Sequence, residues 1–249
     1  MGERMYRIPL CSILVITSVW ACDRQIEEAV AVAVPSAIVE LRDSPSVEEL
    51  SRGTQVIMLG TGTPIPDQRR AGPGVAVIHK GEAYLFDVGA GVVQNATIAR
   101  YRYEIPSLYP TQICCVFLTH LHNDHTQDFS ELATTMWWRR QRHLRAWGPS
   151  GLADLARGVQ QMLAPDLAIR LSGNQPIQQP EGYRIETTEI EPGIVFEQDD
   201  LTIEAFEVSH GAVAPAFGFR IVTDDKTVVI SGDTAYSETV LEKARGVDV

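Results

Sequence analysis

Between Thr119 and His125 the chain reads Thr-His-Leu-His-Asn-Asp-His, which places His120, His122, Asp124 and His125 within six positions. Imidazole nitrogens and carboxylate oxygens are the donors that hold zinc and its neighbouring divalent metals. A lone histidine in a core usually has a plain packing explanation, but four metal-type donors at this spacing do not. The apolar stretch Ile113 to Leu118 comes directly before them. A strand there would open into the loop and present all four side chains at one sheet edge. A metal site is expected.

Two more donors stand in similar places. His210 follows the alternating stretch Leu201 to Val208 and precedes a glycine, and Asp233 lies in Ser231-Gly232-Asp233-Thr234 after another apolar run. Each alone could be a turn former. Their shared place just past the C-terminal end of a strand is where open α/β sheets bind ligands. Five or six nitrogen and oxygen donors exceed the needs of one tetrahedral zinc with an open position. They suit two cations sharing a water and a carboxylate.

The elements that must carry these residues can be read from the pattern. Gln55 to Leu59 is a short buried strand stopped by Gly60-Thr61-Gly62-Thr63-Pro64, where the glycines allow a tight turn. Val75 to His79 and Ala83 to Asp87 form a hairpin around Lys80-Gly81. A helix follows from Val92 to Arg100, then the Ile113 strand, a helix over Phe129 to Arg140, and a brief strand at Leu144 to Trp147. Gly148-Pro149-Ser150 starts a helix reaching about Leu163, and Ser172 to Gly182 is a loop rich in Gly, Gln and Pro. Strands are then expected at Arg184 to Ile190, Leu201 to Val208, Phe217 to Val222 and Thr227 to Ile230, with a last helix over Ser237 to Ala244. Runs of strands with helices between them indicate layered α/β architecture. One domain over residues 54–249 is expected, with no internal repeat.

Arg4, Arg7 and the apolar stretch Ile8 to Ala21 read as an export signal, too short to span a bilayer comfortably. Its end, Val19-Trp20-Ala21-Cys22, resembles a bacterial lipoprotein cleavage box, although Trp20 departs from the usual small residue. That reading makes residues 1–22 a signal peptide, residues 23–53 a tether, and Cys22 a lipid anchor in an exported, periplasmic protein. Cys114 and Cys115 remain, and neighbours on a strand point to opposite faces, so they are expected to pack as small hydrophobes without a disulfide. The formal charge of −11 argues against nucleic acid as a partner, since its backbone is bound mainly by Lys and Arg. The run from Trp137 to His143 reads as a solvated basic helix end, with the pocket mouth as its alternative place. His79 and His143 read as surface residues.

The motif His-x-His-x-Asp-His, with the later single His and later Asp, resembles the metallo-β-lactamase superfamily. Leu59 to Asp67, Gly72-Pro73-Gly74, Tyr84 to Gly91, Trp147 to Gly151 and His210 to Arg220 resemble segments of its ribonuclease Z-like and arylsulfatase-like branches, in the family's order. The likeness covers about Thr54 to Val249. It implies a four-layer αββα sandwich. It also implies that His120, His122 and His210 hold one zinc, that Asp124 and His125 hold a second, and that Asp233 bridges the two; manganese or iron could replace zinc. Asp87, in Phe86-Asp87-Val88-Gly89, resembles a position that supports the site from behind the ligands. The family's pattern continues past Val249 with a Glu and a further His, so the resemblance implies a C-terminally truncated domain.

By this resemblance the expected function is hydrolysis of a sulfate or phosphate ester, arylsulfatase-like or phosphodiesterase-like. A water activated between the two cations attacks, and Asp124 orients it or takes its proton. The expected partner is a small anionic ester, with a homodimer possible and no nucleic acid. The alternatives are a lactonase of the same fold and a metal-binding protein without turnover. A tRNA 3′ endonuclease is disfavoured, because such enzymes carry a long substrate-clamping arm between the isolated His and the bridging Asp. Here only 22 residues separate His210 from Asp233.

Overall fold

The computed structural model describes residues 53–173 and 175–249. The expected signal segment, Cys22 and residues 23–52 of the expected tether lie outside the described residues. Strands β1 (Gln55–Gly60), β2 (Gly74–His79) and β3 (Glu82–Phe86) pair antiparallel, and β4 (Cys115–Phe117), β5 (Leu144–Gly148) and β6 (Ile185–Glu189) add in parallel. This sheet has the order β1-β2-β3-β4-β5-β6. Strands β7 (Gly193–Gln198), β8 (Leu201–Glu207), β9 (Phe217–Val222) and β10 (Thr227–Ile230) form an antiparallel sheet ordered β10-β9-β8-β7. Asp248 and Val249 bond to the β10 backbone.

Alternation along each strand sorts side chains into two packed layers. From β3, β4 and β5, Tyr84, Phe86, Cys115, Phe117 and Trp147 face the second sheet and meet Phe196, Ile203, Phe217, Phe219 and Ile221. The rings interlock: Phe117 stacks on Trp147 at 4.8 Å between centroids and meets Phe196 edge-on at 5.8 Å. The intervening Ala83, Leu85, Val116, Leu144 and Ala146 face the opposite way. There they bury the apolar stripes of α1 (Val92–Tyr103) and α4 (Leu152–Ser172), through Val92, Val93, Ala96, Leu152, Ala156 and Val159. On the far side of the second sheet, Phe206, Val208 and Ala216 pack with Val240 of α5 (Glu238–Lys243). The chain is a four-layer αββα sandwich, as expected.

Several local expectations are corrected. Residues Phe129 to Arg140 do not form one helix: α3 covers Phe129–Thr134, Thr135 is extended, Met136 is left-handed, and a 3-10 turn spans Trp137–Arg139. This turn and β5 begin at the end of the sheet opposite the histidine loop, because β4 and β5 run parallel. The run Trp137 to His143 therefore lines no metal cleft, nor is it simply solvated. Trp137 is fully buried, and its Nε1 donates to Asp166 Oδ2 at 2.8 Å. Arg140 is also buried and donates to the carbonyls of Pro110, Ile113 and Leu132 at 2.6 to 2.8 Å.

Helix α4 runs through Pro165 to Ser172, past the expected stop near Leu163. Most of its last turns face solvent, where water can satisfy the carbonyl that proline leaves free. Strand β7, with Ile194 to Phe196, went unread in the acidic stretch around it. Cys114 and Cys115 are joined by a disulfide, against expectation. The ladder of β4 starts at Cys115, so Cys114 precedes the strand and escapes its alternation; both belong to the core between the sheets. His79 is buried, not superficial: Nδ1 pairs with Thr54 Oγ1 and Nε2 with Asp200 Oδ1, each at 2.9 Å.

Candidate metal centre

The parallel strands β3 and β4 end side by side, and the loops leaving them build one wall of the site. The chain leaving β4 turns into α2 (Asn123–Thr126), with His122 at its N-cap position. Val88, just past β3, donates its N–H to the carbonyl of His125 at 2.8 Å, and its own carbonyl accepts from the N–H of Asp128 at 2.9 Å. This fixes the histidine helix against β3. Contact is so close at Gly89 that a Cβ there would collide with the carbonyl oxygen of Asp124. The second sheet supplies the other wall. Phe217 at the start of β9 donates to the carbonyl of Thr119 at 2.8 Å, and Ala235 donates to that of Ser209 at 2.9 Å. Gly232, at φ 60°, lies where a Cβ would stand 2.7 Å from Phe217 O and 3.0 Å from Thr119 Cβ, so the turn delivering Asp233 needs glycine.

All six expected donors come to this edge. One nitrogen each from His120, His122 and His210 lie within 4.8 Å of one another. His120 Nε2 is 3.0 Å from His122 Nδ1, and His210 Nε2 is 3.3 Å from the same atom. His120, His125 and Asp233 make a second such group. His125 Nε2 lies 3.5 Å from Asp233 Oδ1 and 3.6 Å from Asp124 Oδ2. His120, His125 and Asp124 are buried, while His122 is exposed, so the donors form the floor and lip of a cleft.

The hydrogen bonds behind the donors set which nitrogens face the cleft. Asp87 Oδ2 accepts from His125 Nδ1 at 2.8 Å and from Thr119 Oγ1 at 2.9 Å, and Oδ1 accepts from the Thr119 N–H at 2.8 Å. With its proton committed to Asp87, Thr119 Oγ1 can only accept from His120 Nδ1, 3.0 Å away. Both imidazoles thus carry a proton at Nδ1 and turn Nε2 towards the cleft. Burial, together with neighbouring His125, holds His120 down to about 4, so it is neutral at pH 7. For His125 burial works against protonation, but the Asp87 hydrogen bond and the Asp87, Asp233 and Asp124 carboxylates outweigh it and raise its pKa.

His125 Nε2 decides what the site fits. It is buried, has no hydrogen-bond partner among the described residues, and faces two carboxylates. An imidazole nitrogen set this close to two carboxylates calls for a positive charge among them, which a proton or a bound cation can supply. The donor set fits divalent cations.

A third group that could hold a metal joins His79 to Asp224 and Asp225 at the other end of the sandwich. Both nitrogens of His79 are already paired, and Asp225 accepts from Thr54 N and Oγ1, so this is a hydrogen-bond network tying the sheets.

Residues 82–249, covering both sheets' site-forming ends, match the family described as Beta-lactamase superfamily domain. The chain belongs to the β-lactamase superfamily. Among its relatives in this superfamily is the ribonuclease Z of Mycobacterium sp. (strain KMS), 32% identical over 195 residues. The aligned stretch is 77% of this chain and 65% of that protein, so the chain spans just under two thirds of its length. The crystal structure of human tRNase Z, short form, has a TM-score of 0.54 at 22% identity, covering 72% of this chain and 68% of that one. The Zn(2+)-bound PqqB from Methylobacterium extorquens has a TM-score of 0.50 at 16% identity, covering 78% and 68%. Both share the metallo-β-lactamase fold.

The relatives named ribonuclease Z overturn the expectation that nucleic acid is excluded as a partner and a small ester is the substrate. The formal charge of −11 is a sum over the whole chain and says little about the cleft. Beside Asp124 lies a cavity of about 440 Å³ whose wall includes Arg69 and Arg70. The 22 residues between His210 and Asp233 are indeed spent largely on β9, β10 and their turn, but that spacing does not exclude RNA as a substrate.

Proposed function

We propose that this superfamily member is a dinuclear metal-dependent phosphodiester hydrolase acting on RNA. The observation that carries the dinuclear reading is the pair of donor groups sharing His120, with His125 Nε2, which has no hydrogen-bond partner among the described residues, close to both Asp124 and Asp233. RNA as the substrate class rests on the kinship with proteins named ribonuclease Z. Zinc is the favoured metal, because imidazole dominates the donor set and a fold neighbour is zinc-bound.

In this reading His120, His122 and His210 would hold one cation and Asp124 and His125 the other, with Asp233 as a further donor. The pair supplies Lewis acidity at the phosphate oxygens and a water acidic enough to lose its proton near neutral pH. The chain's own residues do the rest. Asp87 fixes both imidazole tautomers through His125 and Thr119. Asp124, buried at the cleft floor, orients the attacking water and accepts its proton. The new P–O bond forms as the P–O bond to the leaving ribose oxygen breaks, and that oxygen leaves as the alcohol after taking a proton from Asp124 or from water.

The test is hydrolysis by the zinc-loaded protein of bis-p-nitrophenyl phosphate and of an RNA with a single-stranded 3′ extension. Both reactions should stop on chelation and in Asp124→Ala. Cleavage of p-nitrophenyl sulfate or of an acyl lactone, with both phosphodiesters untouched, would refute the proposal.

A further inference from the structure

The cavity beside Asp124 does not end at the metal cleft. Its wall includes Gln94 and Asn95, in the first turn of α1, together with Gln127 and the two arginines of the β1–β2 loop. Gln94, Ile98 and Tyr101 are spaced at i, i+4 and i+7, which puts them on one face of the helix. All three are exposed, Ile98 at 54% and Tyr101 at 68% of their full surface. This face leads from the cavity along α1 for about 10 Å, at 1.5 Å per residue.

Its chemistry is cationic and aromatic, with exposed Glu104 standing just past its end. Helix α1 contains no acidic residue, although the chain as a whole carries −11. Arg100 lies over the ring of Tyr101 at 4.4 Å and over that of Tyr109 at 5.1 Å; exposed Arg102 lies 5.6 Å from the Tyr103 ring. Arginines in a last turn also complement the helix dipole, which accounts for the cations. It does not account for an apolar and an aromatic side chain left in water beside them. Aromatic faces interleaved with cations are what single-stranded nucleic acid binds, bases on the rings and phosphates on the arginines.

We infer that the cavity and the Gln94–Ile98–Tyr101 face of α1 form one track, along which single-stranded RNA leaves the metal cleft. This rests on the RNA reading above and adds to it a path along named residues of this chain. Cavity residues Arg70 and Arg69, the latter also paired with Asp67 at 3.4 Å, would meet the phosphate nearest the metals, and Tyr101 would stack a base further along.

The experiment measures fluorescence anisotropy of a labelled phosphorothioate 12-nucleotide oligouridine, and of a blunt duplex of equal length, on the zinc-loaded protein. The single strand is expected to bind at least tenfold more tightly than the duplex. Tyr101→Ala should weaken single-strand binding about tenfold, and Tyr101→Phe should restore it to within about twofold. Arg102→Glu should weaken it too and flatten its salt dependence. Equal binding of duplex and single strand, or Tyr101→Ala and Arg102→Glu proteins that melt as the parent does and bind as tightly, overturns the track. The two readings fail separately. If the parent protein hydrolyses bis-p-nitrophenyl phosphate while these variants bind normally, only the track is lost. If the parent hydrolyses no phosphodiester, the RNA reading falls first.

Discussion

Replacing Asp87 by asparagine tests whether the site depends on the carboxylate behind its histidines. That carboxylate accepts three hydrogen bonds, from His125 Nδ1, Thr119 Oγ1 and Thr119 N, all between 2.8 and 2.9 Å. An amide of the same shape has one oxygen only. With its oxygen towards Thr119 N, its NH₂ confronts two donors; flipped, it leaves Thr119 N unpaired. In the first arrangement His125 must move its proton from Nδ1 to Nε2, the atom facing Asp124 and Asp233. Loss of such a partner costs about 10- to 100-fold in metal affinity, or about 1.4–2.7 kcal/mol. Zinc titration of parent and Asp87→Asn proteins against a chromophoric chelator reads this directly, with circular dichroism to check the fold. A folded variant that binds zinc within twofold of the parent would refute the tautomer argument.

Three further outcomes are expected. Phe117→Ala removes a fully buried ring stacked between Phe86 and Trp147 and should cost about 3–5 kcal/mol in urea unfolding, with the midpoint lowered and the slope unchanged. Arg140→Met leaves three buried carbonyls without their donor and should cost on the order of 3 kcal/mol in the same measurement, although no carboxylate is involved. In metal-free protein, the folded His120 keeps its proton off down to about pH 4, whereas the unfolded chain takes it up near 6.5. At this residue the unfolded state therefore binds more protons in that window, so the stability His120 contributes falls as pH drops from about 6.5 to 4. Thermal melts across that range should show a smaller loss in His120→Asn.

The donor cluster was readable because its members stand in a short run and at two other strand ends, where side-chain type alone restricts the chemistry. The two-layer burial was readable too, since β3 to β5 alternate large inter-sheet rings with smaller residues facing the helices. What escaped depends on partners distant in sequence. Arg140 is buried by carbonyls, which any residue offers, so nothing in its neighbourhood announces burial. His79 sits beside a hairpin turn, and only the approach of Asp200 and Thr54 encloses it. The second half of α4 survives Pro165 partly because Trp137 bonds Asp166 and Trp138 lies under Arg170 at 3.4 Å. RNA was disfavoured on whole-chain charge and on the short His210–Asp233 spacing, neither of which describes the cleft itself, where Arg69 and Arg70 line one cavity.

Metal content per chain, measured by mass spectrometry on the purified protein and on Asp124→Ala, tests the central claim most directly. The account predicts about two equivalents of zinc, or of manganese or iron in their place, falling to about one in the variant. No bound transition metal, or a content that Asp124→Ala leaves unchanged, would contradict it.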